Sequence, residues 1–145
     1  MSNTAKINIK NLKSFLRKNK KVDFRTADLL HSSNLDTYKW TGLEDDKESL
    51  IEQLKAYQRL LRVVPDGQEN LAQKLLESGI QSSLQIANTP KKVFIQDNLK
   101  TFGNDRTLAQ KVYKRAVAVR KVVALQYMAR VQQTGAHIGV TGLAR

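Results

Sequence analysis

Cysteine is absent from the sequence, which excludes disulfides and thiolate metal sites and argues against a small disulfide-stapled secreted scaffold. No apolar run approaches the roughly 18 residues that a membrane-spanning helix needs. The opening MSNTAKINIKNLK has no apolar core of signal-peptide length, so no Sec-type leader is expected. Proline occurs twice and glycine seven times. Long uninterrupted elements are therefore available, and each of these rare residues marks a break. Acidic residues are missing from both ends of the chain.

What is present reads as one globular domain over residues 1–145, with 41% apolar and 26% charged residues. Residues 1–21 carry seven Lys/Arg and no acid, and residues 111–145 carry another seven and no acid. Between them, residues 22–110 hold eleven basic and thirteen acidic side chains. The net charge of +12 is therefore terminal. Such ends suit an anionic partner, nucleic acid or membrane. They also suit a complementary acidic face on a neighbouring subunit, or simple solvation.

Residues 1–21 form a basic arm in which Ile9, Leu12, Phe15 and Leu16 follow helical spacing. Four large apolar residues favour docking onto the protein's own core over lying on a membrane. Between Val22 and Leu43 the pattern is irregular. Ser32-Ser33-Asn34 reads as a break, with Asn34 or Asp36 as a cap for the next segment; Trp40 is most simply a plug over helix ends, with a binding anchor as the alternative. The core helices span 45–133. Leu50, Leu54, Tyr57, Leu61 and Val64 recur at steps of four and three, which places them in one seam. Glu44, Asp45, Asp46 and Glu48 suit the positive pole of that helix, and Pro65-Asp66-Gly67 ends it.

The centre is the stretch 68–98. Leu71, Leu75 and Leu76 share one helical face, Gly79 stands at a left-handed C-cap, and Ile80 packs back after the turn. Ser82 or Ser83 caps a short helix carrying Leu84, Ile86 and Ala87. Thr89-Pro90 is an N-cap followed by proline at the first helical position, opening the helix of Val93, Phe94 and Ile95. Gly103-Asn104-Asp105 is a break with a cap. The longest helix comes next, from about Arg106 to Gln133. Leu108, Val112, Ala116, Val119 and Val123 form its inner series, and Tyr113, Val117, Ala124, Met128 and Val131 widen the stripe. An apolar arc that wide predicts a largely buried helix, with Arg120 inside it as an aliphatic stem with a paired or snorkelling head. Gly135 is expected to end it, leaving 134–145 as a Gly-rich tail that reads as if a longer chain continued.

Chemistry-bearing constellations are few. His31 and His137 stand without a carboxylate or second histidine at ligand spacing. No nucleophile elbow or phosphate-cradling glycine loop occurs, so no catalytic residue, metal or cofactor is expected. The candidate anion or partner contacts are Lys91, Lys92, Lys111, Lys114, Arg115 and Lys121, with Gly79 and Ile80 as the hairpin turn.

Two resemblances rest on these residues. The segment LLESGIQSSLQIANTPKKVFI is similar to helix-hairpin-helix modules, whose nucleic-acid-binding members present Gly-apolar-Gly backbone N–H groups to a phosphate. Here Gln81 follows Gly79-Ile80 where those members have a second glycine. Over roughly 45–130, the order LKAYQRLLRVVPDG, LAQKLLESGIQSSLQIA, VFIQ, LAQKVYKRAVAVRKVVALQY resembles the helical N-terminal region of A subunits of insecticidal Tc (ABC) toxin complexes. Leu54, Gln58, Arg59, Leu60, Leu61, Pro65, Leu75, Leu76, Gly79, Ser82, Ile86, Ala87, Phe94, Tyr113, Arg115 and Ala116 carry it. That resemblance implies a pentameric delivery complex, held in a bacterial cytoplasm before release.

The expectation is an all-α, compact multi-helix domain of four to six helices, with a helix-hairpin-helix-like centre and a long C-terminal helix. Leu50, Leu54, Leu61, Leu71, Leu75, Ile86, Phe94, Val112, Val119 and Val123 should share its core. Its function is that of a non-enzymatic scaffold or assembly module packing against a protein partner, another part of a larger toxin chain or a homo-oligomer. The alternative is a basic helix-hairpin-helix nucleic-acid binder.

Overall fold

The computed structural model describes the backbone of residues 6–143 and the side chains of residues 6–133. Among these, seven α-helices and one 3₁₀ turn occur, and no strand. In order they are α1 (Lys10–Lys18), α2 (Ser32–Leu35), the 3₁₀ turn Glu44–Asp46, α3 (Lys47–Leu61), α4 (Glu69–Glu77), α5 (Ser83–Ala87), α6 (Lys91–Asn98) and α7 (Arg106–Leu143). The fold is all-α. The helix beyond the expected six is α2, a single turn where the pattern of Ser32-Ser33-Asn34 reads as a break. Asn34 lies inside it and Asp36 stands at its C-cap, so neither caps a following segment, the next element starting at Glu44.

Two packing groups share one core. In the first, α3 packs against α1 and α4; in the second, α5 and α6 pack against α7. The α3 seam is legible in the spacing, and Leu50, Leu54, Tyr57, Leu61 and Val64 are all buried. The arm docks as its spacing predicts, with Ile9, Leu12 and Phe15 buried. Phe15 meets Trp40 at 4.6 Å between ring centroids, and the Trp40 indole N–H donates to Leu35 O at 2.8 Å. Buried Asn19 ties this end to the loop. Its amide donates to Phe15 O and Lys39 O, and its Oδ1 accepts from Lys39 N at 2.9 Å. The end of α3 is closed from outside by the Arg25 guanidinium, which donates to the carbonyl of Leu61, the last residue of the helix, and to Val64 O in the turn beyond it. This matters because helix C-termini leave their final C=O groups without intrahelical partners.

Helix α4 ends in a Schellman motif. Gly79 adopts φ of 100°. Its N–H donates to Leu76 O at 2.9 Å, and the Ile80 N–H donates to Leu75 O at 3.0 Å. Ile80 and Leu75 are both buried, supplying the apolar contact that accompanies this cap. Ser82 caps α5, accepting from Gln85 N at 3.2 Å. The helices on either side of this turn pack on different partners, α4 on α3 and α5 on α7. The α6 start differs by one residue from expectation. Pro90 itself stands at the cap, with φ −57° and ψ 139°, because the Thr89 hydroxyl is spent on Gln85 O at 2.9 Å. Asp105 caps α7 as expected, its Oδ1 accepting from Leu108 N at 3.0 Å.

Helix α7 departs most from its expected environment. Ala109, Val112 and Ala116 are fully buried and Val119 is half-buried. Every side chain from Lys121 to Gln133 is exposed. Val123 is 50% exposed and Met128 55%, so the distal half is not the buried element that its wide apolar arc predicts. Length explains this. At 1.5 Å per residue, 38 residues extend about 57 Å, against about 22 Å for α3, the next longest helix. No other described helix is long enough to cover it. Nor does Gly135 end α7, whose backbone stays helical to Leu143. A helical glycine costs only about 1 kcal/mol relative to alanine, and no proline comes after it to enforce a stop. The tail assigned to 134–145 is thus helical through Leu143, and residues 144–145 lie outside the described ones.

Candidate interaction surface

The six basic candidates are only partly brought together. Lys91, at the start of α6, lines an open groove of about 850 Å³ with Lys111 and Lys114 of α7; Asp105 and Tyr113 also border it. The Tyr113 hydroxyl ties α7 to the connection just before α6 by donating to Thr89 O at 2.8 Å. Lys92, Arg115 and Lys121 do not border this groove. Lys114 and Lys121 lie one heptad apart, on the side of α7 turned away from its buried stripe. Lys91 and Lys92 occupy the first turn of α6, where the positive pole disfavours a cation by about 0.3–1 kcal/mol before screening.

At the turn of Gly79, Ile80 and Gln81, the expected hairpin, the backbone donors are already spent. Gly79 N–H and Ile80 N–H close α4, and Gln81 N–H donates to Gln85 Oε1 at 3.1 Å. The Gln85 amide returns a bond to Gly79 O, and the Arg59 guanidinium donates to Gln81 O. A phosphate approaching Gly79 or Ile80 would have to break these bonds. The sequence signal for Gln85 is the Ser-x-x-Gln spacing of a capping box, although here its Oε1 accepts from Gln81 N, one residue before the Ser82 cap.

The surface that sequence reasoning missed is distal α7. Arg120 marks its root, donating to Ala87 O at 3.2 Å and Asn88 Oδ1 at 3.3 Å. This pairing matches the expected stem with a bonded head. Beyond it, Val122, Val123, Leu125, Tyr127, Met128 and Val131 are each 48% to 66% exposed. At 3.6 residues per turn, Val123, Tyr127 and Val131 continue the line of Ala109, Val112, Ala116 and Val119. Val122, Leu125 and Ala129 fall on the opposite side. The missed signal lies in the sequence: an apolar helix far longer than any partner available to cover it.

One histidine also departs from expectation. His31 Nδ1 lies 2.6 Å from Asp28 Oδ2, because an Asx turn, Leu30 N–H donating to Asp28 Oδ1, folds the two together. The His31 hydrogen bond and the Leu30 N–H hold the Asp28 carboxyl below its ordinary range. This pair is solvent-exposed. The side chain of His137 lies outside the described residues. Among the described residues, no group of three or more His, Asp or Glu is placed to hold a metal ion, and no helix is long and apolar enough to cross a membrane.

Comparison with protein-family models, curated proteins and solved structures found no match to this chain.

Proposed function

We propose that the chain is a non-enzymatic helical scaffold or assembly module that acts by protein–protein packing. The observation that carries this reading is distal α7, a helix that leaves a closed core with six large apolar side chains in solvent. Large apolar side chains exposed together along one element, rather than scattered singly over the surface, point to an interaction site. The relation to Tc-toxin A subunits rests on the resemblance of residues 45–130 alone. In such a complex this module would serve shell packing or docking, not the pore.

The groove of Lys91, Lys111 and Lys114 favours the second reading, a basic nucleic-acid binder. The engaged N–H groups at Gly79, Ile80 and Gln81 weigh against it, since hairpin recognition of phosphate needs them free. The deciding measurement is a titration with duplex and single-stranded DNA at physiological ionic strength, with Lys111→Glu/Lys114→Glu alongside. Dissociation constants weaker than roughly 10⁻⁴ M, outside the usual non-specific range, are expected. Submicromolar binding lost in the double variant would replace the scaffold reading with the nucleic-acid one.

A further inference from the structure

The side chains from Lys121 to Gln133 form two apolar stripes on opposite sides of one helix, all exposed. From Arg106 to Arg145 the sequence carries eight Lys/Arg and no acid. Resting on the scaffold reading, we propose that α7 beyond Arg120 inserts between helices of an acidic protein partner. That partner's apolar seams cover both stripes, and carboxylates at its rim pair with Lys121 and Arg130.

Three features select this occupant. A helix lying on a membrane surface buries one face and needs its apolar residues gathered there. Here Val122 and Leu125 oppose Val123 and Tyr127, so a planar surface would leave one stripe wet. A cleft between two helices covers both. A second copy supplies the wrong charge, because an α7–α7 seam would bring Lys121 and Arg130 against the same cations with no acid between Arg106 and Arg145. Among the described residues, the body of a second copy offers no substitute seam. The other exposed large apolar residues described, Leu30, Leu84 and Val93, are scattered over a loop, α5 and α6. A polyanion without apolar surface, such as duplex DNA, satisfies the cations and leaves both stripes in water. The inner stripe is also continuous with the face that α5 and α6 bury, so the partner extends an existing packing line.

The test uses the full chain and a synthetic helical hairpin peptide with leucine seams flanked by glutamate, compared with the same peptide flanked by glutamine. Labelled peptide is followed by fluorescence anisotropy at physiological ionic strength. The glutamate peptide should bind saturably and about tenfold or more tighter than the glutamine peptide, as close charge pairs at a seam predict. Leu125→Asp/Tyr127→Asp should abolish binding while the thermal midpoint of the body stays unchanged. Lys121→Gln/Arg130→Gln should retain binding and erase the preference. Equal affinity for the two peptides, or no binding of either, overturns the proposal. So does concentration-dependent dimerisation of the chain alone that Leu125→Asp/Tyr127→Asp removes, which identifies a second copy. Binding to vesicles of phosphatidylcholine with phosphatidylserine, lost in that same variant, identifies a lipid surface and overturns it too. Failure here with weak DNA binding leaves the scaffold reading standing, whereas submicromolar DNA binding removes that reading itself.

Discussion

Single positions fix where this chain turns. Gly79 is the clearest, because its φ of 100° lies in the left-handed region and both it and Ile80 close α4. Gly79→Val should therefore destabilise the fold by about 1 kcal/mol or more through backbone strain, read as a lower urea midpoint. An unchanged midpoint would mean that the cap geometry contributes nothing. Tyr57 gives a pH-dependent counterpart. Burial pushes its hydroxyl above the ordinary 10.0, with Glu69 adding to the rise and the hydrogen bond with Gln73 opposing it. The folded state thus holds the phenol proton more tightly than the unfolded chain. Its contribution is complete below about pH 10 and is lost as pH rises through the raised folded value. Tyr57→Phe should flatten the alkaline limb of stability against pH relative to the parent. At neutral pH it should cost about 0.5–1.5 kcal/mol for the lost hydrogen bond. Parallel alkaline limbs in the two proteins would show that Tyr57 does not titrate in this way.

At the scale of elements, α7 is two helices in one. Its first four turns pack against α5 and α6 with Val112 and Ala116 buried, and the side chains of its later described turns, Lys121 to Gln133, are exposed. Val112→Ala should cost about 2 kcal/mol in urea unfolding, from two buried methyl groups and the cavity they leave. Val122→Ala should fall within about 0.5 kcal/mol of the parent, as exposed substitutions do. Equal costs would place Val122 in a core that the structure does not give it. The same contrast shows what sequence reading reached. Spacing and turn chemistry located α1, α3, α4 and the Gly79 cap, and narrowed the α5 cap to Ser82 or Ser83 and the α7 cap to the break Gly103-Asn104-Asp105, since each is a local consequence of periodicity or turn residues. It overreached at Val123 and Met128, because the width of an apolar arc says that a helix wants cover and not that cover exists. It missed the His31–Asp28 pair because an Asx turn, not helical spacing, brings them together. The groove of Lys91, Lys111 and Lys114 depended on how α6 meets α7, which no spacing within either helix records.

Across the whole molecule, stability is unevenly distributed. The core joins residues from Ile9 to Ala116, whereas α7 past Arg120 relies on its own backbone hydrogen bonds. An unsupported helix of that length is marginal in water, since nucleation is costly and only tertiary packing offsets it. Local opening should therefore occur far more often beyond Arg120 than in the body, as stability in a fold is not uniform. Trypsin reports this directly, because Lys121 and Arg130 both sit in the unsupported part. Arg115 and Arg120 are half-buried, and Arg120 is held on Ala87 O. Limited digestion should cut first after Lys121 and Arg130, leaving a fragment ending at Lys121 that unfolds with the parent's cooperative transition. First cuts within α1, α3 or α4, or a fragment without a cooperative transition, would show that distal α7 supports the body. If the acidic hairpin peptide covers both stripes, the same digestion in its presence should spare Lys121 and Arg130. Protection by the glutamate-flanked peptide and not by the glutamine-flanked one ties that local ordering to the charge at the rim, because both peptides offer the same leucine seams.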